Sequence, residues 1–164
     1  MTATLVSTVI TSPVGPLTVV ASDSGLRAVL WADEREGRVR LPHVEPGRHE
    51  VLDATAAQLG AYFAEGSVGF DLPLDLVGTE FQVETWTALA GIAPGRTITY
   101  AEMAVRLGRR RATRAVGGAI GRNPVSIVLP CHRVIGASGS LTGFAGGIEA
   151  KRWLLDHEGV RLDP

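Results

Sequence analysis

The single cysteine of this 164-residue chain, Cys131, lies in the string Pro130-Cys131-His132-Arg133. A cysteine attacks as its thiolate, and a free thiol with a pKa of about 8.5 is mostly protonated at neutral pH. His132 can supply a base. Adjacent residues on an extended strand point to opposite sides, so the pair must lie on a turn or communicate through a water molecule. Glu158 is the third candidate. It follows Leu154 and Leu155 at helical spacing, at the end of an apolar stripe where a carboxylate without a partner would be costly. A carboxylate there can fix the tautomer of His132 and complete a Cys–His–Glu relay. A lone cysteine also fits the simpler role of a small buried hydrophobe, so its neighbours must decide. One cysteine excludes an intramolecular disulfide and a cysteine-rich zinc site.

The charge distribution bears on the partner. The net charge is −1, yet residues 1–91 hold 5 Arg against 12 Asp and Glu, and residues 92–164 hold 11 Arg and Lys against 5 Asp and Glu. The cysteine therefore sits in the basic half. Nucleic acid is the first candidate partner for such a half, and a solvated basic surface is the alternative. No run of about 18 apolar residues is present to span a membrane. The N-terminus has no basic stretch followed by an apolar one, so no signal peptide is expected and the protein is placed in the cytoplasm.

The elements that must position these residues fall into two groups. Thr4 to Ile10, Leu17 to Ser22 and Leu26 to Trp31 are rich in Val, Leu, Ile and Thr and are separated by Pro-Gly or Gly punctuation; they predict an antiparallel meander. Residues 33–49, with Pro42, Pro46 and Gly47, predict a loop. Val51 to Glu65 predicts a helix stopped by Gly66, and Phe70 to Leu76 alternates like a further strand. After Gly78, Thr79 can cap a helix to about Gly91, and Thr99 with Glu102 forms a capping box for Tyr100 to Leu107. Gly108 and Arg109 to Arg111 then lead into a second short helix, Ala112 to about Ile120. This is helix–turn–helix spacing. The second helix is stripped of side chains from Ala115 to Ala119, apart from Val116. Two readings stand: tight helix–helix packing, or a surface that lies close to a DNA groove with Arg114 as the one long side chain able to reach between bases. Ser126 to Pro130 predicts a short buried strand delivering Cys131, Gly136 to Gly147 a glycine-rich loop, and Lys151 to Glu158 a final helix.

Pro130-Cys131-His132-Arg133-Val134-Ile135 resembles the active-site motif of the O6-alkylguanine-DNA alkyltransferases, the methylated-DNA–protein-cysteine methyltransferases. The resemblance extends over nearly the whole chain. Ser12-Pro13-Val14-Gly15-Pro16-Leu17 is similar to their N-terminal hairpin, and Gly78-Thr79-Glu80-Phe81-Gln82 with Trp86 and Leu89 to the start of their C-terminal domain. Arg114-Ala115-Val116-Gly117 resembles their recognition helix, Asn123-Pro124 their hinge, and Gly143, Gly146 and Gly147 their active-site loop.

The resemblance implies a mixed α/β (α+β) fold: a ribonuclease H-like antiparallel sheet with a helix over residues 1–77, and a helical DNA-binding and alkyl-transfer domain with the helix–turn–helix over 78–164. It implies minor-groove binding of double-stranded DNA, flipping of the damaged base, and irreversible single-turnover transfer of the alkyl group to Cys131. O6-alkylguanine is the implied substrate, with O4-alkylthymine as a second. By position, Arg114 matches the arginine that fills the vacated stack, Tyr100 the tyrosine that assists flipping and protonates the leaving base, and Asn123 the hinge residue. His132 and Glu158 match the activating relay. Ala112, Thr113, Ala115, Gly117 and Arg111 fall on the DNA-facing segment, and Phe144, Ala145 and Val134 on the substrate pocket. Neither a cofactor nor a metal is implied, and a monomer is expected, with cooperativity on DNA left open.

Phe144-Ala145 departs from the Tyr, sometimes followed by Ser, common in the family, which bears on alkyl-size tolerance. Some members bind zinc through N-terminal Cys and His. This chain has no Cys there, and His43 and His49 are read as bystanders. Three other classes compete: a non-catalytic lesion sensor, which typically carries Trp in place of the cysteine; a thiol hydrolase using Cys131, His132 and Glu158; and a helix–turn–helix regulator, whose recognition helix would carry base-reading side chains.

Overall fold

The computed structural model describes residues 4–141 and 143–161. Strands β1 (Leu5–Ile10), β2 (Leu17–Ser22) and β3 (Gly25–Trp31) form the antiparallel meander expected from their turn signals, in register Ile10 opposite Leu17 and Leu17 opposite Trp31. The sheet gains a fourth strand where a loop was expected. Residues Val44–Pro46 (β4) pair in parallel with β1, giving the order β3-β2-β1-β4. Its flanking prolines mimic a loop because Pro cannot donate to a ladder, but a short edge strand tolerates it.

Residues 70–76 correct a second expectation. They are extended but form no strand, only a single parallel bridge of Leu74 to Leu26. Leu26 N–H donates to the Pro73 carbonyl at 2.8 Å, and Asp75 N–H donates to the Leu26 carbonyl at 2.8 Å. Pro73 has no N–H with which to continue the ladder. The approach is close enough that a Cβ on Gly25, whose φ is +149°, would lie 2.5 Å from the Pro73 oxygen.

Helix α1 (Glu50–Glu65) is capped by the His49 side chain and ends on Gly66 in the left-handed conformation. Its buried residues Val51, Leu52, Leu59 and Tyr62 join the main core with Leu17, Val19, Ala21, Leu26 and Val29 of the sheet. That core continues without a break into the second half, through Trp86, Leu89, Met103, Val116, Ile120 and Leu154.

The second half is built from helices α2 (Glu80–Leu89), α3 (Tyr100–Arg106), α4 (Thr113–Gly121) and α5 (Ile148–His157). Both α2 and α3 start on full capping boxes, Thr79 with Gln82 and Thr99 with Glu102. Each box satisfies two otherwise orphan N–H groups, which lets such short helices begin sharply. Trp86 of α2 donates its indole N–H to the Ala119 carbonyl of α4 at 2.7 Å, tying the pair of short helices to the body.

Two further differences lie beside the cysteine. Ile98–Thr99 (β5) and Val134–Ile135 (β6) pair in parallel, a contact between residues far apart in sequence that no local pattern announces. Ser126 to Pro130 is buried throughout but is not a strand. It reverses direction at Ile127 and Val128, with Leu129 N–H donating to the Val125 carbonyl at 3.0 Å. Ile127 holds φ +74°, a conformation that a β-branched residue adopts at a cost of about 1–3 kcal/mol. A short apolar run reads as a strand because burial on all sides looks the same in either conformation.

Candidate active site

Cys131 opens a single 3-10 turn, Cys131–Arg133, so the cysteine and histidine are on a turn as the chemistry requires. Cys131 is 6% exposed and His132 fully buried. The cysteine lines a pocket with Tyr100, Gly117, Ile120, Phe144, Ala145 and Lys151. The pocket measures about 40 Å³, room for a few water molecules and far below the roughly 300–1,000 Å³ of pockets that hold small ligands.

Glu158, at the end of α5, gathers the buried charges. Its carboxylate accepts from His132 Nε2 at 2.6 Å, from Arg133 Nε and Nη2 at 2.8 and 3.1 Å, and from the Tyr62 hydroxyl at 2.5 Å. Burial alone would raise this carboxyl, but the hydrogen bonds from His132 and Arg133 outweigh it and bring it down to about 2. The ionised carboxylate fixes the tautomer: Nε2 carries the proton and donates, leaving the Nδ1 lone pair as a base. Nδ1 is buried with no protein partner among the described residues. Burial holds His132 neutral by pushing its pKa down, with Glu158 opposing. Burial likewise pushes the Tyr62 hydroxyl up, reinforced by its bond to Glu158.

The surroundings of Cys131 disfavour the thiolate. Burial pushes the Cys131 thiol up, and the Asn123 side-chain hydrogen bond and the charges of Arg38 and Lys151 only partly offset that. Activation therefore depends on removing a proton during reaction. Asn123 is placed to steady the sulfur. Its Nδ2 donates to the Leu129 carbonyl at 2.8 Å and its Oδ1 accepts from Val125 N–H at 3.1 Å, so it braces the reversal that delivers Cys131.

Besides Tyr62 and Arg133 as partners of Glu158, three residues of this site were missed from the sequence. Lys151 is fully buried on α5, donates to the Val134 carbonyl at 2.7 Å, and lies about 6.0 Å from both the Tyr100 and Phe144 ring centres. Burial lowers its pKa, and a thiolate at Cys131 opposes that shift. Its place on the apolar face, one turn before Leu154 and Leu155, was the available signal. Arg38 is 5% exposed and donates from Nη1 to the Gly121 and Asn123 carbonyls at 3.2 and 2.8 Å. Trp31, at the end of β3, packs edge-on to Phe144 with ring centres 5.4 Å apart. The loop fits over it only because residue 146 is glycine, where a Cβ would lie 2.6 Å from the indole. Val134, expected in the pocket, lies outside its lining. Its side chain is fully buried in the core and its backbone pairs with Ile98.

The segment expected to meet DNA is largely exposed. Arg110, Arg111, Arg114, Ala115 and Gly118 are exposed, while Ala112, Thr113 and Gly117 are half-buried. Arg109 leans over the Phe81 ring at 4.9 Å and reaches Glu84 at 3.5 Å. The glycines of α4 are not demanded by packing. A Cβ at Gly117 would make an ordinary 3.6 Å contact with Tyr100, and at Gly118 it would meet nothing. Among the described residues, no group of three His, Cys, Asp or Glu could hold a metal ion, and no helix is long and apolar enough to cross a membrane.

A sheet-and-helix half joined to a small helical half, with a buried Cys–His–Glu set below a side-chain-poor helix, defines a nucleophilic-cysteine protein with an exposed basic face. The comparisons give the family. Residues 5–76 match the ribonuclease-like domain of 6-O-methylguanine DNA methyltransferase, and residues 80–160 match its DNA binding domain. The methylated-DNA–protein-cysteine methyltransferase of Salmonella typhimurium is 44% identical over 163 residues, spanning 93% of this chain and 95% of that protein. That of Mycobacterium tuberculosis is 45% identical over 153 residues, spanning 93% and 91%. The crystal structure of Mycobacterium tuberculosis OGT in complex with DNA superposes with a TM-score of 0.84 at 44% identity, covering 94% of this chain and 92% of that one. The chain belongs to the 6-O-methylguanine DNA methyltransferase family.

Proposed function

We propose that this protein repairs alkylated DNA directly, moving an alkyl group from the O6 atom of guanine to the sulfur of Cys131, once per molecule. The observation that carries this is the placement of Cys131. It is the only thiol, it shares a pocket with Tyr100, and it adjoins a neutral histidine held by an ionised Glu158.

His132 Nδ1 takes the thiol proton through a water molecule, and Glu158 stabilises the imidazolium as it forms. The sulfur attacks the alkyl carbon, a carbon–sulfur bond forms, and the carbon–oxygen bond breaks with its electron pair going to the guanine. Tyr100 donates a proton to the departing base. Products are a thioether and an unmodified guanine. Hydrolysis does not readily cleave a thioether, so the protein is consumed stoichiometrically and needs no cofactor.

Double-stranded DNA is bound through the exposed α4 face in the minor groove, with the chain acting as a monomer. The lesion is extruded at a cost of a few kcal/mol, and Arg114 fills the gap. The bare surface at Gly117 and Gly118 supports this reading, since packing gives no reason for glycine at either position.

Intact-mass measurement after mixing with an O6-methylguanine oligonucleotide tests it. The protein should gain one methyl group in place of a proton at Cys131, in one-to-one yield, and Cys131→Ala should gain none while still binding DNA. Continued conversion of excess substrate, or an unmodified Cys131, would overturn the proposal.

A further inference from the structure

A second cleft lies across Arg38 from the Cys131 pocket. It measures about 350 Å³ and is lined by Arg27, Arg38, Arg40 and Arg122, with Gln82 and Trp86 among the remaining lining residues. Arg38 belongs to the walls of both. Among the described residues, no carboxylate side chain is in the lining. The first 91 residues are strongly acidic overall, yet three of their five arginines converge here.

The charges are only half compensated. Arg27 pairs with Asp75 at 3.4 Å and Arg38 with Glu34. Arg40 and Arg122 are exposed and form no ion pair among the described residues. Two guanidinium groups without a carboxylate partner, beside two that have one, leave a net positive cleft that favours an anion. Arg38 is also held in place rather than free to swing. Glu34 takes Nε and the Gly121 and Asn123 carbonyls take Nη1, while Nη2 is buried with no protein acceptor among the described residues.

We infer that this cleft is a phosphate-binding site, separate from the alkyl-transfer pocket. Guanidinium forks match phosphate oxygens two at a time, and both the charge and the volume suit a phosphate group with its substituents. The group comes either from the DNA backbone or from a free phosphate or polyphosphate in solution.

The test has two arms. In the first, inorganic phosphate and then pyrophosphate are titrated into the full protein at constant ionic strength, following the Trp86 indole N–H and Arg38 Nε–H by NMR. Saturable shifts at both, weakened at least tenfold in Arg40→Ala and Arg122→Ala, assign the site to free phosphate. In the second, DNA affinity is measured against salt for the wild type and Arg40→Ala. A slope reduced by about 0.9 for the lost contact assigns it to the DNA backbone. Both substitutions are at exposed positions, so folding should be preserved. If phosphate and pyrophosphate produce no saturable shift and the salt slope is unchanged, the inference is overturned. The first arm uses no DNA, so its failure is distinct from failure of alkyl transfer.

Discussion

The Glu158 cluster and the α4 surface are built on opposite terms. Around Glu158, His132, Arg133 and Tyr62 donate to one buried carboxylate, and little is left unsatisfied except His132 Nδ1. On α4, the N-terminus has no side-chain cap, Arg114 is exposed, and Gly118 faces open space. The contrast separates two tasks. Chemistry on a thiol needs groups already fixed, so their desolvation and ordering are met by folding. Recognition of a macromolecule needs groups that find their partners only on binding.

Breaking the first region should have the largest effect. Glu158→Ala leaves Arg133 buried without its counter-charge and His132 Nε2 without its acceptor, and should lower the unfolding free energy by about 3–5 kcal/mol. Urea denaturation measures this; a loss under 1 kcal/mol would mean that the cluster does not carry stability. Arg114→Ala probes the second region. It should leave stability within about 0.5 kcal/mol yet slow alkyl transfer from duplex DNA at least tenfold, as read by single-turnover kinetics; unchanged kinetics would remove Arg114 from base extrusion.

Acid should distinguish the regions without mutation. Unfolded His protonates near pH 6.5 and unfolded Glu near pH 4.3, whereas in the fold His132 is pushed lower and Glu158 is held to about 2. The unfolded chain therefore binds more protons as pH falls, so stability decreases below about pH 6.5 and more steeply from about 4.3 towards 2. Thermal melting across pH checks this, and Glu158→Gln should flatten the lower part. The smallest effect is expected from Gly118→Ala. It should stabilise α4 by up to about 1 kcal/mol while weakening DNA binding. Tighter DNA binding would contradict close approach at that position.

Legibility in the sequence followed the range of each interaction. The capping boxes at Thr79 and Thr99 and the stop at Gly66 were readable because donor and acceptor lie within one helical turn. The strand β4 was hidden by Pro46, and the reversal at Ile127 was mistaken for a strand because apolar content does not encode φ. Asn123, His132 and Glu158 were found as residues, but the bonds from Tyr62 and Arg133 that set the charge of Glu158 were not. Tyr62 comes from a helix 96 residues away.

What the amino-acid order determined by itself was the inventory: one thiol beside a histidine, a carboxylate ending an apolar stripe, a basic half, two short capped helices, and a third with glycine and alanine in place of long side chains. Tertiary structure alone decided which charges meet. Arg38 crosses from the acidic half to hold the Asn123 carbonyl, Lys151 is buried between Tyr100 and Phe144, and Trp31 supports the pocket loop. The physical reason is that electrostatics and packing act through space, at a few ångströms, between residues that chain order places tens of positions apart.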